Sequence, residues 1–529
     1  MASLVPDLIL HSASTQPEHE ALRHQGEGLS YERLAAAMRA FAYGASHHGL
    51  DRGERIAVYL PKQPETVIAI FGTSLAGGAF VPVNPLLKAE QVCHILNDCN
   101  VRVLVTSGDR LASLGDALPN CHDLRLIVLT DPATKTPASS PCQVAPWQEW
   151  MALGSNVAVL PRVIDSDMAA ILYTSGSTGK PKGVVLSHRN IVCGAESVSG
   201  YLQNHANDRL LAALPLSFDY GLSQLTTAFL TGACVTLMNY LLPRDVVNAV
   251  VKERITGLAA VPPLWNQLAQ LSWPAEAIDS LRYITNSGGH MPASTLAALR
   301  AALPKTKVFL MYGLTEAFRS TFLPPDEIDR RPGSMGKAIP NAEILVVRPD
   351  GTPCVPEEPG ELVHRGALVA MGYWNDPEKT AERFRPCPSQ PAGLPLTEIA
   401  VWSGDTVKMD KDGYLYFIAR RDETIKTSGY RVSPTEIEEV FYESGLVSEA
   451  AAVGVPHPTL GQAIVVYAVW HEKQASDEKA LLERCKKALP AYMVPAQVIV
   501  RPALPRNPNG KVDRKSLAAE VDDLFQERR

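Results

Sequence analysis

The sequence has little of what marks several common protein classes. No two of its nine cysteines stand at Cys-x-x-Cys spacing, and they are scattered from Cys93 to Cys485. An odd, scattered set argues against a disulfide scaffold or a zinc site and predicts reduced thiols in a cytoplasmic protein. Charge of one sign is also missing: 50 Lys and Arg face 56 Asp and Glu, a net −6, so no basic surface for nucleic acid is expected. The chain lacks a long unbroken apolar run. Its most apolar stretch, Val67 to Val83, is interrupted by Gly72, Gly77, Gly78 and Pro82. That pattern predicts a core helix, a turn and a strand, with no membrane span. The opening residues Met1 to Asp7 have neither the basic nor the apolar region of a signal peptide. No fixed-period repeat is present, which excludes a solenoid.

At 529 residues, the chain is long enough for two or more domains. Helical spacing over 30–48, with Ser30 as N-cap and Gly49 as stop, is followed by strand-like 55–60, a helix from Glu65 and strand-like 79–83. A helix over 89–96 and a strand over 101–105 continue the alternation. Residues 131–165 are rich in Pro, Ser and Thr and read as an irregular connection. Ser187 or Asn190 would cap the next helix. Further strands are expected at 210–214, 235–238, 257–261, 283–286 and 308–312, several running into glycine and polar residues. The fold class is therefore α/β, with mostly parallel sheets, flanking helices and ligands at the carboxyl ends of the strands. From Gly333, short alternating segments predict hairpins and a small β-rich subdomain. The polar run Arg420 to Thr424 is a candidate hinge. It divides a large N-terminal domain, 1–421, from a small mobile α+β domain, 422–529.

The stretch Tyr173-Thr-Ser-Gly-Ser-Thr-Gly-Lys-Pro-Lys-Gly183 organises the rest. It follows the apolar run Met168 to Leu172, as phosphate loops follow buried strands. Glycines let backbone N–H groups approach an anion, hydroxyls donate, and Lys180 and Lys182 supply charge. It does not fit Gly-x-x-x-x-Gly-Lys-Ser/Thr, so it is not a Walker A loop. A flexible Ser/Gly linker is the plainer alternative. Other residues have plain readings when taken singly. Asp405 in Ser-Gly-Asp could be a turn residue, Glu316 a helix-capping partner and Lys511 a solvated loop lysine. His188, His290 and His364 lack metal-ligand spacing and read as polar surface or loop residues.

Together these segments resemble the adenylate-forming (AMP-binding) ligase superfamily of acyl-CoA synthetases, nonribosomal-peptide adenylation domains and luciferases. The resemblance rests on six motifs in order over nearly the whole chain. They are Tyr173–Gly183, Tyr312-Gly-Leu-Thr-Glu316, Ser403-Gly-Asp405, Arg420 with Asp422, Lys426-Thr-Ser-Gly429 and Pro505–Lys511. Within the superfamily, the chain is most similar to the acyl-CoA ligase-like group associated with exosortase systems. The resemblance implies adenylation of a carboxylic acid by ATP, release of pyrophosphate, and transfer to the thiol of CoA or of phosphopantetheine on an acyl or peptidyl carrier protein.

It also implies roles. Thr174, Ser175, Gly176, Ser177, Thr178, Gly179, Lys180 and Lys182 would hold the β- and γ-phosphates. Glu316 would bind Mg²⁺, Asp405 both ribose hydroxyls, and Arg420 the ribose and phosphate region. Tyr312 would lie against adenine beside Ser287, Gly288 and Gly289, with Gly313 and Thr315 completing the nucleotide site. Lys511 would bridge carboxylate and α-phosphate. The small domain would then rotate about Asp422, bringing in Lys426 and Gly429, whose missing side chain lets the pantetheine arm pass. Ala419 replaces a glycine often seen before the hinge arginine, and Ser403 replaces the usual threonine. Neither change removes a needed chemical group.

The acyl pocket would be built from Phe218, Asp219, Tyr220, Asn286, Met311 and Arg319, which suggests a small-to-medium acid. Asp219 invites a cation, because a buried carboxylate is costly alone. That cation could be the α-ammonium of an amino acid or the side chain of Arg319. A small non-amino acid, or a catalytically retired nucleotide-binding protein, are the alternatives.

Overall fold

The computed structural model describes residues 2–131, 142–153, 159–174, 181–420, 423, 425–427, 430–471 and 478–525. Local signals operate as the residues dictate. Ser30 Oγ accepts the Arg33 N–H and starts helix Tyr31–His47. Ser187 and Asn190 form a reciprocal capping box at helix His188–Leu202. The apolar stretch after Gln63 becomes buried helix Pro64–Leu75, a turn and strand Ala79–Pro82. Among the described residues no helix is long and apolar enough to cross a membrane.

Two large sheets carry the N-terminal part. One runs Gly372–Tyr373, Lys182–Ser187, Met168–Thr174, Ala79–Pro82, Arg55–Tyr59, Val101–Thr106, Leu126–Leu129 and Gln143–Pro146. Its strands pair in parallel from Met168–Thr174 onward. The other has a parallel centre of Cys234–Leu237, Arg209–Ala212, Gly257–Ala260, Tyr283–Asn286 and Lys307–Tyr312. The β-rich segment after Gly333 grows antiparallel from that centre, through Thr321–Leu323, Ser334–Ala338, Leu415–Arg420, Ile399–Met409, Gly360–Gly366 and Ala342–Val347. A third, small sheet is built on the long hairpin Val447–His457 and Gly461–Trp470. Its apolar face, from Ile425 to Val498, packs as a core of its own with helix Pro434–Glu443.

One expectation fails in part. Within 131–165, Gln143–Pro146 joins the sheet edge beside Leu126–Leu129, and helix Trp147–Ala152 follows. Trp150 is fully buried against Phe41, with ring centroids 5.4 Å apart and its indole N–H donating to the Phe41 carbonyl. A four-residue edge strand and a single anchoring tryptophan leave no periodic signal to read. Residues 132–141 and 154–158 lie outside the described residues.

Candidate active site

The stretch Tyr173–Gly183 is seen at its two flanks. Strand Met168–Thr174 pairs antiparallel with Lys182–Ser187, setting Thr174 opposite Lys182. Ser175, Gly176, Ser177, Thr178, Gly179 and Lys180 lie outside the described residues. Lys182 Nζ stands 5.6 Å from the centroid of the Tyr373 ring, and the Tyr373 hydroxyl donates to Glu316 Oε1 at 2.6 Å. Glu316 sits on the short turn Thr315–Ala317 and is half-buried. Its side chain turns to Tyr373 and caps no helix. Among the described residues no three His, Cys, Asp or Glu side chains converge as a metal cage. A lone hard carboxylate suits Mg²⁺, which takes one or two carboxylates and draws its other ligands from phosphate and water.

Asp405 lies buried in strand Ile399–Met409, paired in register with Arg420 on Leu415–Arg420. Its Oδ2 accepts the Tyr312 hydroxyl at 2.5 Å. Arg420 Nε stands 3.2 Å from Oδ1, within ion-pair range, yet Oδ1 receives no aligned hydrogen bond. Burial pushes this carboxyl up, and Arg420 and the Tyr312 O–H pull it back down. The result is a buried oxygen with acceptor capacity to spare, beside Tyr312.

Lys511 arrives from the C-terminal part. Its loop is closed on itself, with Asn507 N–H donating to the Lys511 carbonyl at 2.8 Å. Asn84 Nδ2 donates across to the Pro508 carbonyl at 2.7 Å. Lys511 Nζ lies 5.4 Å from the Phe218 ring centroid. Gly288 makes the approach possible. Its φ is +81°, and a Cβ there would stand 3.0 Å from Lys511 Cε and 3.6 Å from Phe218 Cζ. Burial lowers the pKa of Lys511, opposed first by the charge of Asp219. Lys426, on Ile425–Thr427, is exposed. Gly429 and Asp422 lie outside the described residues.

Four of the acyl-pocket candidates, Phe218, Asp219, Tyr220 and Arg319, meet in the structure. Helix Asp219–Thr231 begins directly after Phe218, and the Phe218 and Tyr220 rings meet edge to face at 6.2 Å. Gly221 lets this turn close, because a Cβ there would fall 2.0 Å from the Pro215 carbonyl oxygen. Tyr220 bonds Thr285 Oγ1 at 2.5 Å, and Met311 is buried with its sulfur 2.9 Å from the Tyr201 hydroxyl. Asn286 follows Thr285 on the strand, so its side chain points to the opposite face. Its Nδ2 donates to the Gly289 carbonyl at 3.1 Å. Asp219 is paired inside the protein: Arg319 Nη1 donates to its Oδ2 at 2.7 Å, with side-chain exposures of 2% and 4%.

A model of the family described as AMP-binding enzyme matches residues 9–374, and one of its C-terminal domain matches 436–511. The chain belongs to the AMP-binding enzyme family. It is 30% identical to a long-chain-fatty-acid–CoA ligase of Salmonella typhimurium, over 97% of this chain and 94% of that protein. It is also 30% identical to an L-proline–[L-prolyl-carrier protein] ligase of Pseudomonas fluorescens, over 98% and 99%. The structure of an O-succinylbenzoate coenzyme A synthetase from Bacillus subtilis, in complex with ATP and magnesium ion, superposes with a TM-score of 0.80. It is 27% identical, covering 96% of this chain and 98% of that one. An anthranilate CoA ligase structure shares the fold at a TM-score of 0.88 and 22% identity, covering 98% and 99%.

Two features of this AMP-binding enzyme differ from the sequence reading or were absent from it. His188 and His364, expected on the surface or in loops, are 1% and 0% exposed. His188 Nδ1 accepts the Val5 N–H at 3.1 Å, and His364 Nδ1 lies 2.9 Å from Ser320 Oγ. Both imidazoles serve packing, filling places that a short sequence window does not reveal. Tyr373, which holds Glu316, was missed. Its two-residue strand Gly372–Tyr373 carries no pattern, and its only clue is antiparallel pairing with Lys182–Ser187.

Proposed function

We propose that this AMP-binding enzyme is an ATP-dependent acid–thiol ligase whose two half-reactions are served by two loops of one small domain. In the first, a carboxylate oxygen of the acid attacks the α-phosphorus of ATP. The bond to the bridging oxygen breaks, pyrophosphate leaves, and an acyl-adenylate remains. In the second, a thiolate of CoA or of a carrier-bound pantetheine attacks the acyl carbonyl and AMP departs. Little covalent chemistry falls to the protein, so positioning and charge must do most of it.

The observation that carries this reading is Lys511 held over Phe218 in the space that Gly288 leaves open. A compact ammonium there can meet the acid's carboxylate and the α-phosphate together. Asp405 Oδ1 fits a ribose hydroxyl, since it is a buried acceptor lacking a hydrogen bond. Tyr312, tied to Asp405, would flank the base together with Ser287, Gly288, Gly289, Gly313 and Thr315. Glu316 would hold Mg²⁺, which supplies charge neutralisation on the phosphates. Thr174, Lys182 and the residues between them would cradle the β- and γ-phosphates. Arg420 would neutralise charge near the ribose. Lys426 and Gly429 would serve the thiol step after the small domain, residues 422–529, turns about Asp422.

The acid proposed is small and carries no α-ammonium. Asp219, the group that would meet an ammonium, is already ion-paired with Arg319 through Oδ2. An α-ammonium placed beside it would also face the guanidinium. A cytoplasmic setting fits nine free cysteines. The test is ATP–pyrophosphate exchange across a panel of carboxylic and amino acids, with AMP release on adding CoA. Exchange with no acid would favour a retired nucleotide-binding protein. Exchange restricted to amino acids and abolished by Asp219→Ala would restore the amino-acid reading.

A further inference from the structure

Arg319 is almost wholly enclosed and only partly used. Its Nη1 donates to Asp219 at 2.7 Å and to the Phe318 carbonyl at 3.0 Å. Its Nε and Nη2 are buried with no hydrogen-bond partner. Those two nitrogens carry three of the five N–H groups of a guanidinium. A buried donor left without a partner is costly. The group is not free to turn away, since its carbon lies 4.9 Å from the Tyr220 ring centroid and 5.7 Å from that of Phe318. Its Asp219 partner follows Phe218, the residue under Lys511. Lys511 and Arg319 thus flank the Phe218–Tyr220 segment, one with the ammonium proposed for the reacting carboxylate and the other with donors left unfilled.

Charge decides what can fill that fork. Asp219 already balances Arg319, so a second carboxylate would bury an uncompensated negative charge. An ammonium would meet a cation with no free acceptor. A neutral oxygen takes up the donors and leaves the charge balance intact. We propose that Arg319 is a specificity-determining residue, selecting acids that carry a carbonyl or hydroxyl oxygen at the end remote from the reacting carboxylate. This rests on the ligase reading above and names its substrate class.

Matched acids test it by kcat/KM for ATP–pyrophosphate exchange: levulinate against valerate, and meta-hydroxybenzoate against benzoate, with succinate and γ-aminobutyrate as charged controls. At least one oxygen-bearing acid should exceed its apolar match by about 100-fold or more, because a site built to hydrogen-bond an oxygen rejects the analogue lacking it. Arg319→Lys keeps a cation against Asp219 and loses the fork. It should bring that ratio to within a few-fold of unity by lowering kcat/KM for the oxygen-bearing acid more than for its apolar match. Equal rates within both pairs, or a best rate with succinate or γ-aminobutyrate, would overturn the inference and leave the ligase reading standing. An unchanged ratio in Arg319→Lys would do the same. Exchange with no acid would overturn both. Should Arg319→Lys fail to fold, the wild-type ratios alone decide.

Discussion

At the scale of single residues, the buried pair of Asp219 and Arg319 is the strongest charge feature of the proposed acyl site. Each partner alone would be an uncompensated charge in a dry environment. Asp219→Ala is therefore expected to destabilise the protein by about 3–5 kcal/mol. Replacing both, Asp219→Leu with Arg319→Met, should recover much of that loss. Urea unfolding of the two single variants and the double one measures the coupling. Lys511 gives a second prediction, in pH. Burial lowers its pKa, so it loses its proton below the ordinary lysine range. On the role proposed for Lys511, adenylation uses the ammonium and should fall as pH rises through that depressed value. Docking runs the other way. The undocked lysine holds its proton more tightly, so raising pH between the two values favours the docked loop. The pH profile of exchange, compared with that of thioester formation from supplied acyl-adenylate, separates the two effects.

At the scale of elements, one helix borrows its cap. Ala293–Ala302 follows Pro292, which offers no capping side chain. Glu439, on helix Pro434–Glu443 of the small domain, accepts the Ala293 N–H at 2.9 Å and lies 3.1 Å from His290 Nε2. A lost cap costs about 1 kcal/mol, roughly a five-fold change in an equilibrium. Glu439→Ala should lower the rate of adenylation several-fold by releasing the docked arrangement. Thioester formation from supplied acyl-adenylate should hold or rise. Equal loss in both half-reactions would show that Glu439 supports the fold alone. The strands show the complementary case. Their periodicity was legible, and so were the glycine and polar residues at their ends. The parallel centre formed where apolar runs placed it. Edge strand Gln143–Pro146 and the pair Gly372–Tyr373 were not legible, since so few residues carry no period.

At the scale of the whole molecule, the two lysines occupy different settings. Lys511 is inserted at Phe218, whereas Lys426 is exposed. Lys511→Ala is expected to cut exchange by about 10²–10³-fold, the usual loss when one preorganised donor is removed. It should spare thioester formation from supplied acyl-adenylate. Equal loss in both steps would argue against alternation of the loops. Stability should also carry an acid limb from the buried histidines. Burial takes His188 down to about 4 and His364 to about 3. Unfolded, each would titrate near about 6.5. Between those values the unfolded chain holds more protons. Their contribution is complete above the unfolded value and is lost as pH falls toward the folded ones, amounting to several kcal/mol by order of magnitude. Melting temperature followed from neutral to mildly acidic pH, in wild type and His364→Asn, checks it.

Much of this protein was settled along the chain. Helix starts at Ser30 and Ser187, the strand-then-glycine rhythm and the ordered motifs depend on neighbours a few residues apart, and local sterics and hydrogen bonding fix them. Tertiary structure alone chose which cation answers Asp219, since Arg319 is a hundred residues away. It also buried His188 and His364, set Tyr373 on Glu316, and left two guanidinium nitrogens unfilled. Those outcomes depend on which surfaces exclude water together, and that is a property of the packed chain.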